Sequence, residues 1–216
     1  MMAFAVIFDM DGVIVDNFTY HEKAWQQFCT IHQLDFGEAF RSGIFGGTNR
    51  DHLQAFFQME LSDNEIKKFE SEKEAIYREL YQPFIEPVNG LVEFLLELRN
   101  ANIKIALATS SPPINVEFVL RNTGTAEFFT TILDASDIAI GKPNPEIFLK
   151  SADALQTASQ NCIVFEDSIN GINAAKNAGM KVVALTTTHS AKALPPVDLI
   201  ITDFSTIGLK QLEKLI

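Results

Sequence analysis

The chain has little of three things, and each shortage excludes a class of protein. Cysteine is the first: only Cys29 and Cys162 occur in 216 residues, far apart and without metal-ligand spacing. A disulfide framework and a cysteine-built metal centre are therefore excluded, and a reducing, cytoplasmic setting is expected. Positive charge is the second. Against 28 acidic residues stand 17 lysines and arginines, for a formal net charge of -11. Such a chain repels nucleic acid and the anionic face of a membrane, so neither is expected as a partner. A small anion stays open as a ligand, because local cations, backbone N–H groups or a divalent metal override the mean field at short range. The third is any long apolar run. Residues 1–8 are apolar but lack a basic flank, and they meet Asp9 and Asp11 before a signal core or a membrane span is complete. No internal repeat or low-complexity tract is present either.

What is present is 47% hydrophobic and 21% charged, enough for one sizeable core with an appendage, and against intrinsic disorder. Phe4-Ala5-Val6-Ile7-Phe8 is short, β-branched and aromatic, and stops at Asp9-Met10-Asp11-Gly12. It predicts a buried strand that opens into a loop. Similar runs recur at 103–108, 132–133, 162–165, 182–185 and 199–201, with helical spacing between them, as in Leu91, Phe94, Leu95 and Leu98. Gly179 is placed to cap the helix over 171–178. Strands alternating with helices predict an α/β fold with a doubly wound parallel sheet, whose ligands bind beyond the carboxyl ends of the strands.

Residues 16–87 break that alternation. Ser62 and Glu65 have capping-box spacing, and Ile66, Phe69, Ile76 and Leu80 follow near one helical face. The stretch predicts an all-helical insertion after the first strand, hinged at 16–18 and at 83–89, where Pro83 and Pro87 punctuate the chain. The domains expected are thus 1–15 with 88–216, and 16–87.

Polar residues gather at the predicted strand ends. Asp9 and Asp11 are two apart, so in extended chain both carboxylates enter one space and need a cation or a shared proton; a solvated Asp-Gly turn is the plain alternative. Thr109, Ser110 and Ser111 follow a strand and offer hydroxyls and N–H groups to an anion, though such residues equally serve as N-caps. In Gly141-Lys142-Pro143-Asn144-Pro145-Glu146, the two prolines hold the Lys142 ammonium at a defined loop position; an ordinary loop lysine before a proline-capped helix is the plain alternative. Glu166 and Asp167 add two more carboxylates, with the Asp167-Ser168 pair also readable as an N-cap. Four acids at one sheet edge call for Mg²⁺, a hard cation that prefers oxygen. Carboxylates, metal, lysine and hydroxyls together describe phosphoryl transfer, with one carboxylate attacking in line to form an aspartyl-phosphate.

These four stretches, Asp9-Met10-Asp11-Gly12, Thr109-Ser110, Gly141-Lys142-Pro143 and Glu166-Asp167, resemble in order the four motifs of the haloacid dehalogenase (HAD) superfamily, over nearly the whole chain. The helical insertion resembles the cap of its β-phosphoglucomutase-like branch. That resemblance implies a HAD-like, Rossmannoid fold. It implies Asp9 as nucleophile, Asp11 as general acid and base, and Ser110 and Lys142 as the grip on the phosphoryl group. It implies Mg²⁺ on Asp9, the Asp11 carbonyl, Asp167 and Glu166. In the cap, His21, Trp25, Arg50 and Lys73 resemble substrate-facing positions, although a surface histidine, a core tryptophan and two solvated helix charges read equally well.

Gly46 stands where the mutase has a cap lysine, Asn17 replaces a hinge threonine, and Pro113 with Ile114 replace a Lys-Asn pair that helps hold a second phosphate. A mutase must bind a bisphosphate in two orientations, so the loss of polar contacts favours a phosphatase acting on a small phosphorylated metabolite, a sugar phosphate, under a closing cap; a monomer is expected. A phosphomutase is the near alternative. A phosphate-accepting signalling module is the distant one, because it needs neither the insertion nor the second acid at Asp11.

Overall fold

The computed structural model describes residues 4–37 and 48–216. The described chain divides into two compact units, one of residues 1–16 and 85–216 and one of residues 17–84. The breaks fall inside the two segments named as hinges. They leave an insertion that starts one residue later and ends three residues earlier than 16–87. The reason is local: Val15 bridges to Pro87, and the Val88 N–H donates to the Ile14 carbonyl at 2.9 Å, so the returning chain is already bound to the larger unit.

In the larger unit six parallel strands, β1 (Ala5–Phe8), β2 (Lys104–Ala108), β3 (Thr131–Leu133), β4 (Cys162–Glu166), β5 (Lys181–Leu185) and β6 (Leu199–Ile201), lie in the order β3-β2-β1-β4-β5-β6. The order reverses between β1 and β4, which pair in register Phe8 with Phe165. That switch point is where an open doubly wound sheet leaves a crevice at its carboxyl edge. Alternation along the strand divides the core. Phe8 faces an aromatic layer, stacked on Phe165 with ring centroids 4.8 Å apart and joined by Phe94 and Phe204. Ala5 and Ile7 face the other way, into a layer with Ala106, Phe148, Val164 and Val182. Burial on both faces is why the central strands β1 and β4 read as unbroken apolar runs.

Helices α4 (Leu91–Asn100), α5 (Pro113–Thr123), α6 (Glu146–Ala154), α7 (Ile169–Asn177) and the short α8 (Leu209–Leu212) complete this unit, numbered after those named below for the smaller one. Helix α7 ends as its sequence predicts. Gly179 has φ 74°, its N–H donates to the Lys176 carbonyl, and the Met180 N–H donates to that of Ala175. This closes the last turn with a left-handed glycine.

The smaller unit holds α1 (Phe18–His32), α2 (Asn49–Phe57) and α3 (Asp63–Tyr81). Capping boxes start α2 at Thr48 with Asp51 and α3 at Ser62 with Glu65. Its core is aromatic: Phe28 meets Trp25 and Phe69 edge-on, and Phe57 stacks on Phe69 at 4.7 Å. On α3 the face differs from the one predicted. Ile66 and Ile76 are buried, but so are Tyr77, Tyr81 and the charged pair Lys73 and Glu74. Among the described residues no helix is long and apolar enough to cross a membrane.

Candidate active site

The carboxyl ends of β1, β2 and β4 carry the predicted polar residues, and the backbone ladder brings them together. The Asp9 N–H continues the β1–β4 pairing by donating to the Phe165 carbonyl at 3.0 Å, which sets Asp9 beside Glu166 and Asp167. Single carboxylate oxygens of Asp9, Glu166 and Asp167 lie within 4.8 Å of one another, and all three residues are buried. Lys142 reaches into this group from its loop. Its Nζ donates to Asp9 Oδ1 at 2.6 Å, to Glu166 Oε1 at 2.7 Å and to the Ala108 carbonyl at 3.3 Å.

The charges do not balance. Burial above all pushes the Asp9 carboxyl up to about 8. The Lys142 ammonium pulls against that, while the charges of Glu166 and Asp11 add to it. Asp167 is likewise raised well above its usual range by burial and by the neighbouring Glu166 and Asp9 carboxylates. Burial works against the Lys142 ammonium, but Asp9 and Glu166 together hold its pKa above the ordinary value. One ammonium thus faces three buried acids. A divalent cation placed among them would supply the missing positive charge, and three carboxylates suit a hard ion.

Two glycines make the convergence sterically feasible. Gly12 has φ 77°, and a Cβ there would collide with the Asp167 carboxylate. A Cβ at Gly171 on α7 would run into the Glu166 carboxylate. Gly171→Ala is therefore expected to push Glu166 off Lys142, to destabilise the protein by about 1–3 kcal/mol as overpacking does, and to lower turnover. Thermal melting and a phosphate-release assay check both, and an alanine variant equal to the parent in each would contradict this packing.

A family profile for haloacid dehalogenase-like hydrolases matches residues 6–185. The chain belongs to that family. This haloacid dehalogenase-like hydrolase is 31% identical over 219 residues to the β-phosphoglucomutase of Bacillus subtilis (strain 168), covering 97% of this chain and 94% of that one. It is 32% identical over 181 residues to the phosphorylated carbohydrates phosphatase of Thermotoga maritima, covering 82% of each. Among solved structures, a HAD hydrolase of family IA, variant 3, from Entamoeba histolytica HM-1:IMSS superposes with a TM-score of 0.90 at 28% identity, over 98% of both chains.

Within this hydrolase the other predicted residues fall in different settings. Asp11 does not join the three-acid group; its Oδ2 accepts a hydrogen bond from the Ser111 hydroxyl. Thr109 is buried at the end of β2, and its hydroxyl accepts the Ser111 N–H at 3.1 Å, whereas Ser110 is exposed. Both oxygens of Glu166 are engaged, Oε1 by Lys142 and Oε2 by the N–H groups of Asp167 and Ser168 and the Ser168 hydroxyl. Ser168 also caps α7 through the Gly171 N–H.

In the smaller unit, Lys73 is 2% exposed, so the solvated-charge reading does not hold for it. Its Nζ is 2.8 Å from His21 Nδ1, donates to Glu74 Oε1 at 2.8 Å and lies 5.0 Å from the Trp25 ring centroid. His21 stacks on Tyr77 at 3.8 Å. Trp25, 2% exposed, packs on Phe28 and Phe56 in the interior of its unit. Arg50 is exposed and donates to Asp63 Oδ1 at 2.7 Å. Gly46 lies outside the described residues.

Sequence reasoning missed three groups. Glu146, on the first turn of α6, pairs with Lys150 at 2.7 Å and accepts the N–H groups of Ile140 and Ala139, so its carboxyl is lowered to about 2, by Lys150 above all, and the loop bearing Lys142 is tied to its helix. Thr187 and Thr188, beyond β5, reach back to Gly12 and Asp167. The visible signal for the latter was three consecutive threonines at the mouth of a predicted strand.

Proposed function

We propose that this enzyme is a Mg²⁺-dependent phosphatase that hydrolyses a small phosphorylated metabolite, a sugar phosphate, through an aspartyl-phosphate on Asp9. The observation that supports it most is the single ammonium of Lys142 set between Asp9 and Glu166, with Asp167 alongside. An oxygen of the Asp9 carboxylate attacks phosphorus in line, and the bond from phosphorus to the sugar oxygen breaks as Asp11 gives that oxygen a proton. Water then attacks the phosphorus of the acyl phosphate, returning a proton to Asp11 and releasing inorganic phosphate and free Asp9. Ser111, hydrogen-bonded to Asp11, orients that acid. Lys142, held by Glu166, meets the charge that spreads over the phosphoryl oxygens, and Ser110, exposed after β2, is assigned to the same group. Asp9, Asp167 and the Asp11 carbonyl would hold Mg²⁺, and Glu166 supports the same centre through Lys142. The ion, when bound, neutralises phosphoryl oxygens and lowers the repulsion that Asp9 meets on approach.

The names of the relatives support the substrate class: one is a phosphorylated carbohydrates phosphatase and one a fructose-1-phosphate phosphatase of Escherichia coli (strain K12). A cytoplasmic setting is part of the reading, supported by two cysteines that are free and buried. A phosphomutase is the second reading, favoured by 31% identity to a β-phosphoglucomutase along nearly the whole chain. Against it, α5 begins with Pro113 and Ile114, and neither offers a polar side chain to a second phosphate. Phosphorus NMR on one sugar phosphate, with and without a bisphosphate primer, separates the two. The phosphatase releases inorganic phosphate in both samples; an isomeric ester formed only with primer, without phosphate release, would overturn the proposal.

A further inference from the structure

Strand β5 pairs with β4 in register Glu166 with Ala184, so its carboxyl end runs beside the chain that bears Glu166 and Asp167. It leaves the sheet through Thr186-Thr187-Thr188, a stretch with no charge and no motif. The Thr188 hydroxyl donates to Asp167 Oδ2, and the Thr187 hydroxyl donates to the Gly12 carbonyl at 2.6 Å. The two residues thus fasten the loops after β1 and β4 to the end of β5.

Asp167 needs fastening. It is 4% exposed and stands among carboxylates that repel it, so a free side chain would swing away from them whenever no cation is bound. Gly12 packs against one side of its carboxylate, where a Cβ would collide, and Thr188 holds it by a directed hydrogen bond. A hydroxyl is suited to this task. It supplies one proton donor and adds no charge, so it holds the anion without competing with a cation as a lysine would. An ionised carboxylate has about four lone-pair sites, so accepting one bond from Thr188 leaves lone pairs free for a cation.

We propose that Thr188 is a positioning residue for the divalent cation, holding Asp167 in its ligating orientation, while Thr187 fixes the adjoining Gly12 loop. This rests on the reading that Asp9 and Asp167 take such an ion. Groups that orient a metal ligand by hydrogen bonding are typically worth 10- to 100-fold in metal affinity.

The test is calorimetric titration of Mg²⁺ into the full chain and into Thr188→Val, Thr188→Ser and Asp167→Asn, with metal-free melting curves to check the fold. Thr188→Val is expected to weaken Mg²⁺ binding about tenfold or more, Thr188→Ser to restore most of the affinity by returning the hydroxyl, and Asp167→Asn to abolish binding. A purely structural role for Thr188 would lower the metal-free melting temperature and leave Mg²⁺ affinity alone. Should the valine variant fold poorly, Thr188→Ala against Thr188→Ser makes the same comparison. Equal affinity of parent and valine variant, with Asp167→Asn inactive in binding, overturns the role of Thr188 alone. Equal affinity of parent and Asp167→Asn, or no binding to the parent, overturns the cation reading and this inference with it.

Discussion

Lys142→Met is expected to lower kcat by about a thousandfold or more, the scale on which enzymes lose a group that meets developing charge, and to cost stability as well. The side chain is 8% exposed and donates to Asp9 at 2.6 Å and to Glu166 at 2.7 Å. Methionine fills much of the volume but leaves both acids buried without their ammonium. Breaking a buried pair from one side costs roughly 3–5 kcal/mol, or on the order of 10 °C in melting temperature for a chain of this size. Adding Mg²⁺ should return part of the lost stability and none of the grip on phosphate. Melting curves with and without the ion, run beside a phosphate-release assay, check the paired effects. Lost turnover at an unchanged melting temperature would mean that Lys142 is not the counter-charge of this group.

Asp9→Asn should move the two quantities apart. Loss of a nucleophile costs about 10⁴-fold or more in turnover, yet the metal-free variant is expected to be more stable than the parent at neutral pH. The Asp9 carboxyl is raised by burial from about 3.8 to about 8. Its contribution to stability is therefore fully present below the unfolded value and is lost as pH rises through the folded one. Asparagine does not titrate, and its side-chain oxygen can still accept from Lys142. The stability gained by the variant over the parent should thus grow between pH 4 and pH 8 and level off above. Denaturation midpoints taken across that range test this, and a gap that shrinks with rising pH would contradict the crowding of acids at the site.

The sheet and its polar rim were legible because both depend on short stretches of sequence. Strands such as β1 and β4 are covered on two faces, so Ala5-Val6-Ile7-Phe8 and Cys162-Ile163-Val164-Phe165 carry no polar interruption to confuse their assignment. Asp9, Glu166 and Asp167 stand where those runs stop, and the parallel register brings them together, while the prolines beside Lys142 mark its loop. What stayed hidden was decided by distant partners. Lys73 and Glu74 look like solvated helix charges until His21, Trp25 and Asn49 close around them. The Glu166-Asp167 pair does not reveal in sequence that Glu166 spends both its oxygens on Lys142 and the loop that follows. Among three adjacent hydroxyls, the exit of the chain from β2 after Ala108 leaves Ser110 exposed and turns Ser111 to Asp11. Thr187 and Thr188 carry no charge to mark them, and only the neighbouring strand brings them within reach of Gly12 and Asp167.

The central claim is that the Asp9 carboxylate takes up the phosphoryl group. It is tested most directly by mixing the enzyme with a sugar phosphate and Mg²⁺ for less than one turnover, quenching in acid and mapping the peptides by mass. Phosphate bound to the peptide that holds Asp9, sensitive to hydroxylamine and missing from Asp9→Asn, is the predicted result. Ester cleavage with no phosphate left on the protein, or phosphate carried by another residue, would contradict it.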